Sequence, residues 1–154
     1  MDTKLFLIRR EVINMTHKQT CIIINNKMIS VDKELVDVIL KLNELGYKTS
    51  GCCIGDKRKN DALWINIQET NENKIIEFMN MLDGCSYCME KDLYKKNKSD
   101  TVYVQYILKS PKSSLIDRKK IIKEWLLLLN KIIDINIYTD KILQYKTIRE
   151  LFNE

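Results

Sequence analysis

Three of the four glycines in this chain, Gly46, Gly51 and Gly55, fall within one stretch of eleven residues, Gly46 to Asp56. With a single proline, Pro111, there are few other places where the backbone can turn sharply. The stretch reads Gly-Tyr-Lys-Thr-Ser-Gly-Cys-Cys-Ile-Gly-Asp and holds two of the five cysteines. An apolar-rich helical pattern precedes it and a strand pattern follows, so the elements on either side are arranged around this turn.

Before it, Leu35, Ile39 and Leu42 recur at helical spacing, with Val36 and Leu40 widening the stripe. The spacing predicts a helix over 31–45, with Ser30 or Asp32 as N-cap and Gly46 as its stop. Upstream, residues 4–13 read as a strand. Residues 20–30 place Asn25-Asn26 between β-branched runs, a hairpin signal because asparagine tolerates positive φ. Downstream, 47–53 and 61–68 read as strands. In the second of these Leu63, Ile65 and Ile67 share one face, and Ala62, Trp64 and Asn66 share the other.

A helix follows from a Thr70 or Asn71 cap to about Leu82, with Ile75, Phe78, Met79 and Leu82 on its buried face. Strands at 85–94 and 101–109 flank a polar turn. A third helix runs over 115–133, with Ile122, Trp125, Leu126, Leu129 and Ile132 as its stripe. A short strand at 135–138 and a terminal helix to Phe152 complete the reading. The order is β-β-β-α-β-β-α-β-β-α-β-α: one α+β domain over 1–154, with helices on one face of a largely antiparallel sheet. The two helix-strand-strand units hint at an internal repeat.

Composition narrows the function classes. The chain has 154 residues, 45% of them apolar and 31% charged, with a net charge of +5. No apolar run is long enough to span a bilayer and the N-terminus lacks the order of an export signal, so a cytoplasmic protein is expected. Charge is uneven: residues 61–85 carry −4, residues 86–123 carry +6. Tyrosines interleave the basic band. Lys95, Lys96, Lys98, Tyr94, Tyr103, Arg118, Lys119 and Lys120 are therefore candidates for holding a nucleic acid or an acidic partner surface. A solvated, lysine-rich face is the plainer alternative.

The glycine-rich turn offers a second candidate site: Gly51, Cys52, Cys53, Gly55, Asp56, Lys57 and Arg58. Successive backbone N–H groups there can cradle an anion, and the neighbouring cations would lower a thiol's pKa. The structural alternative makes Gly51 a bulge and Cys53 a small core residue. Cys85-Ser-Tyr-Cys88 has metal-ligand spacing, and Cys53 with Cys85 and Cys88 is the zinc set that the sequence allows. Adjacent strand residues such as Cys52 and Cys53 point to opposite faces, which works against a shared metal. The single histidine, His17, has no evident partner, and no P-loop, dinucleotide fingerprint or nucleophile elbow is present.

From Leu42 to Asp56 the chain resembles a group of small uncharacterised bacterial and phage proteins. Their pattern is a helix ending in Leu-Asn-x-x-Gly-Tyr-x-Thr, followed by a Ser/Cys-Cys-x-Gly-His turn. The turn is also similar to the Ser-Cys-Ser-Gly-Arg turn of the wybutosine-synthesising tRNA methyltransferase family, in which a Trp-containing strand follows. Cys52, Cys53 and Gly55 match the turn, and Trp64 the strand; Asp56 stands where the relatives carry His or Arg. The resemblance implies an accessory or anti-defence inhibitor, or an S-adenosylmethionine-dependent RNA methyltransferase with Cys53, Gly55 and Asp56 near its site.

The leading expectation is thus a non-catalytic binding protein for nucleic acid or an acidic, nucleic-acid-bearing partner, without a cofactor. The methyltransferase reading, with S-adenosylmethionine, is the first alternative. A ligand-free homo-oligomeric module, stabilised by thiols or zinc, is the second.

Overall fold

The computed structural model describes residues 18–69, 71–95, 98 and 100–152. The strand expected over 4–13 and His17 lie outside the described residues, as does Lys96. What is described is an α+β fold with antiparallel pairing throughout. A hairpin of β1 (Gln19–Ile24) and β2 (Lys27–Asp32) comes first. Asn25 and Asn26 turn it with φ of 51° and 64°, the left-handed pair that a two-residue hairpin loop requires.

A 3₁₀ turn, Lys33–Leu35, leads into α1 (Val36–Glu44), so the helix expected over 31–45 begins later than its periodicity suggests. Asp32 does not cap it. The Asp32 side chain makes no capping bond and is buried elsewhere. Gly46, at φ +90°, ends the helix as expected, with the Tyr47 N–H returning to the Leu42 carbonyl.

The main sheet has four strands in the order β3-β4-β6-β5: β3 (Thr49–Cys53), β4 (Trp64–Ile67), β5 (Cys88–Lys95) and β6 (Val102–Lys109). Between β4 and β5 lies α2 (Glu72–Met81), whose N-cap Asn71 accepts from the Asn73 N–H. Each helix-strand-strand unit places its second strand at the centre, and β4 and β6 run antiparallel. That is the arrangement of two units related by an approximate twofold axis between β4 and β6, which gives the sequence hint of a repeat a geometric form.

The last described element is α3 (Leu115–Phe152), 38 residues long. The strand expected over 135–138 is absent; those residues continue the helix. Ile135-Asn-Ile-Tyr138 alternates like a strand, but no glycine or proline occurs after Pro111. Ending the helix there would leave a turn's worth of carbonyls without donors.

The core lies between one face of the sheet and the helices. Ile65, Ile67, Tyr106 and Leu108 from the sheet pack with Leu35, Ile39 and Leu42, with Ile75 and Phe78 of α2, and with Ile122, Trp125 and Leu129 of α3. The Trp125 indole N–H donates to the Ser86 carbonyl at 3.2 Å, which satisfies its polar atom within this layer. Among the described residues no helix is long and apolar enough to cross a membrane.

Candidate functional site

The glycine-rich turn is closed by the protein's own side chains. Arg118, from the first turns of α3, is fully buried beneath it. Its Nη1 donates to the Ile54 carbonyl, and its Nη2 to the carbonyls of Asp56 at 2.6 Å and Lys59 at 3.1 Å. Arg118 is therefore no surface cation. The basic-band expectation fails at this residue because the planar guanidinium satisfies loop carbonyls that would otherwise be buried without donors.

Four N–H groups of the turn are also occupied. That of Ile54 donates to Asp32 Oδ2 at 2.7 Å, that of Gly55 to Cys53 Sγ at 3.3 Å, that of Asp56 to Asp61 Oδ2 at 2.7 Å, and that of Arg58 to Asp56 Oδ1 at 2.8 Å. The anion cradle expected from Gly51 and Gly55 is thus satisfied internally. Asp32 and Asp61 supply what a ligand was expected to supply. Their roles here are not those the sequence suggests, a helix cap for Asp32 and a strand residue for Asp61, because the N–H partners lie 22 and 5 residues away.

Electrostatics follow this geometry. Backbone N–H groups from Asp56 and Ala62 hold the Asp61 carboxyl below the usual aspartate range. The N–H of Arg58 does the same for Asp56. Lys57 is engaged by Glu34 at 2.6 Å; burial works against the Glu34 charge, yet the Lys57 ammonium keeps its pKa below the ordinary glutamate value. Of the loop's cations, Arg58 and Lys59 remain exposed.

The thiols move opposite to the expectation. Burial pushes Cys52 up to about 12 and also raises Cys53, despite the nearby cations. Cys52 joins the core-side layer, and Cys53, next along β3, points the other way. Among the described residues no group of three or more His, Cys, Asp or Glu side chains gathers as a ligand set, so Cys53, Cys85 and Cys88 are not brought together as the zinc reading required.

The second candidate region is the face of the sheet opposite the core. Strand alternation and the pairing register put Trp64 and Asn66 of β4, Tyr103, Gln105, Ile107 and Lys109 of β6, and Tyr94 of β5 on this face. Their neighbours Ile65, Ile67, Tyr106 and Leu108 are buried beneath the helices, whereas the outward set is half-buried or exposed. Tyr94 and Tyr103 are cross-strand partners with stacked rings, 5.7 Å between centroids.

Acidic groups on this face are paired: Glu90 with Lys109 at 3.0 Å, and Asp92 with the Gln105 amide at 2.7 Å. Trp64 lies beside Lys109, six residues along β6 from Tyr103, so the aromatic platforms stand about 20 Å apart. Lys98 lies in the turn at the hairpin end of the sheet and is exposed; Lys95, also exposed, pairs with Val102 and by strand alternation points to the side opposite Tyr94. Lys119 and Lys120 are exposed on α3, which packs against the opposite side of the sheet; the structure divides the basic band expected to act together.

No protein-family model matches the chain, and no curated protein or solved structure matches it.

Proposed function

We propose that the protein binds single-stranded nucleic acid across the open face of its four-stranded sheet. The observation that carries this reading is the half-exposed aromatic set Trp64, Tyr94 and Tyr103 on the face turned away from the helices. An aromatic ring on a flat sheet offers a stacking platform that any base can use, and flanking cations track the phosphates. Here Lys109 sits beside Trp64, and Lys98 stands in the turn beyond Tyr94 and Tyr103. Asn66 adds an amide group able to meet base edges between the platforms.

The glycine turn takes a supporting role in this reading. It fixes the end of β3 and β4 from which Trp64 projects. The carbonyls of Ile54, Asp56 and Lys59 and the N–H groups of Ile54, Gly55, Asp56 and Arg58 are bonded within the protein, so neither S-adenosylmethionine nor a phosphate is assigned to it.

The test is anisotropy of a labelled twelve-nucleotide RNA, and of the matching DNA strand, at low and moderate salt. Binding should weaken with salt, and Trp64→Ala or Tyr103→Ala should each weaken it by roughly 5- to 100-fold, the loss of one stacked base. No binding at 50 mM salt, or unchanged affinity in both variants, overturns the proposal.

A further inference from the structure

The second half of α3 carries an apolar stripe that the fold does not use. Ile135, Tyr138, Ile142, Tyr145 and Phe152 recur at alternating intervals of three and four, with Arg149 completing the pattern. All are exposed, Tyr138 to 66% and Phe152 to 82%. The residues by which α3 joins the core, among them Ile122, Trp125 and Leu129, lie elsewhere on the helix. At 100° per residue, Tyr145 is about 200° round the axis from Trp125. A partner can therefore reach the stripe without displacing the body of the protein.

We infer that this stripe pairs with the same stripe of a second copy, as an antiparallel two-helix coiled coil. Charge fixes the direction. In heptad terms Ile135, Ile142 and Arg149 occupy one seam position, and Tyr138, Tyr145 and Phe152 the other. A parallel pair sets each seam residue against itself, so Arg149 would face Arg149 of the other copy, and Lys141 would approach Lys146 across the flank. An antiparallel pair sets each seam position against the other: Ile142 on Tyr145, Ile135 on Phe152, and Arg149 over the Tyr138 ring as a cation–π contact. Lys141 then lies beside Ile148, and Lys146 beside Thr139.

The size also fits. The exposed side chains of the stripe, with Ile148 and Leu151 at its edge, offer on the order of 800 Å² per copy, the scale of a stable interface. The antiparallel arrangement places the two bodies at opposite ends of the paired helices.

Sedimentation velocity of the whole chain from 5 to 200 µM tests the inference. A species of twice 18.3 kDa is expected. Ile142→Glu and Tyr145→Glu should each return it to one copy with helical signal from the core half of α3 retained. Thr147→Glu, on the other side of the helix, should leave the dimer intact. With Cys88→Ser in the background, Phe152→Cys alone should not cross-link, since the two positions lie about 25 Å apart along the pair, whereas a mixture of Phe152→Cys and Ile135→Cys should. A single copy at 200 µM, including one that instead binds anionic lipid vesicles, overturns the inference. So does a dimer indifferent to both glutamate variants, or efficient cross-linking of Phe152→Cys with itself. Nucleic-acid binding by the open sheet face is a separate measurement and stands or falls on its own.

Discussion

A Cβ atom added to Gly55 would stand 2.7 Å from Nη1 of Arg118, and 2.9 Å from the Ala62 carbonyl oxygen. The turn and the buried arginine are therefore one construction. The guanidinium fits beneath the loop only because position 55 has no side chain, and the loop holds its shape because the guanidinium ties three of its carbonyls to α3.

Two glycines separate the causes of this requirement. Gly55 and Gly84 have nearly equal φ, +85° and +86°, yet nothing lies within 4 Å of a Cβ on Gly84. Gly84→Ala should cost about 1 kcal/mol, the backbone penalty alone. Gly55→Ala should cost about 3 kcal/mol or more, since the neighbour is a buried guanidinium and a backbone oxygen. Chemical denaturation of both variants gives the difference directly. Arg118→Lys should also destabilise by roughly 3 kcal/mol, because an ammonium cannot reach three separated carbonyls with a planar fork.

Acid should loosen the same loop. Asp61 and Glu34 both have carboxyl pKa values lowered in the folded state. The folded chain then binds fewer protons than the unfolded one in the acid range. The stabilisation is complete above the unfolded carboxylate values, about 4, and is lost as pH falls through the lower folded values. Urea midpoints should accordingly drop between pH 5 and pH 3. Asp61→Asn, which keeps one acceptor oxygen, should remove about 1 kcal/mol at pH 7 after allowance for its partial exposure, and should flatten the acid dependence.

The thiols should react in an order set by burial rather than by nearby cations. Cys88 is exposed, while Cys52 is half-buried with its pKa pushed up to about 12. At pH 8 iodoacetamide should modify Cys88 first and Cys52 at least about a hundredfold more slowly, because the thiolate is the reactive form. Mass spectrometry of timed aliquots reads the order. Early modification of Cys52 would contradict the burial described for β3.

Periodicity and turn chemistry made most of the elements legible in the sequence. The Asn25-Asn26 hairpin, the Gly46 stop, the Asn71 cap and the two-faced pattern of Ala62 to Ile67 depend on residues within a few positions of one another. Such patterns report backbone preference and the direction of each side chain. That was enough for the α+β class, and for placing Trp64 on the face opposite Ile65. The strand expected at 135–138 shows the limit: β-branched alternation yields when a helix has already begun and nothing in the chain interrupts it.

What each polar group meets was decided by tertiary structure. Arg118 belongs by sequence to a basic band, but the loop carbonyls it holds are 59 to 64 residues away, and burial makes it a clamp instead of a contact for phosphate. Asp32 looked like a helix cap and became the acceptor for Ile54. The cations near Cys52 and Cys53 pointed to acidic thiols, whereas desolvation dominates. Only the packing of the helices on one face left Tyr94, Tyr103 and Trp64 on the other. The sequence by itself determined which way the side chains point along each element. Tertiary structure decided which of them lose water and find partners, because desolvation and long-range hydrogen bonds depend on neighbours distant in sequence.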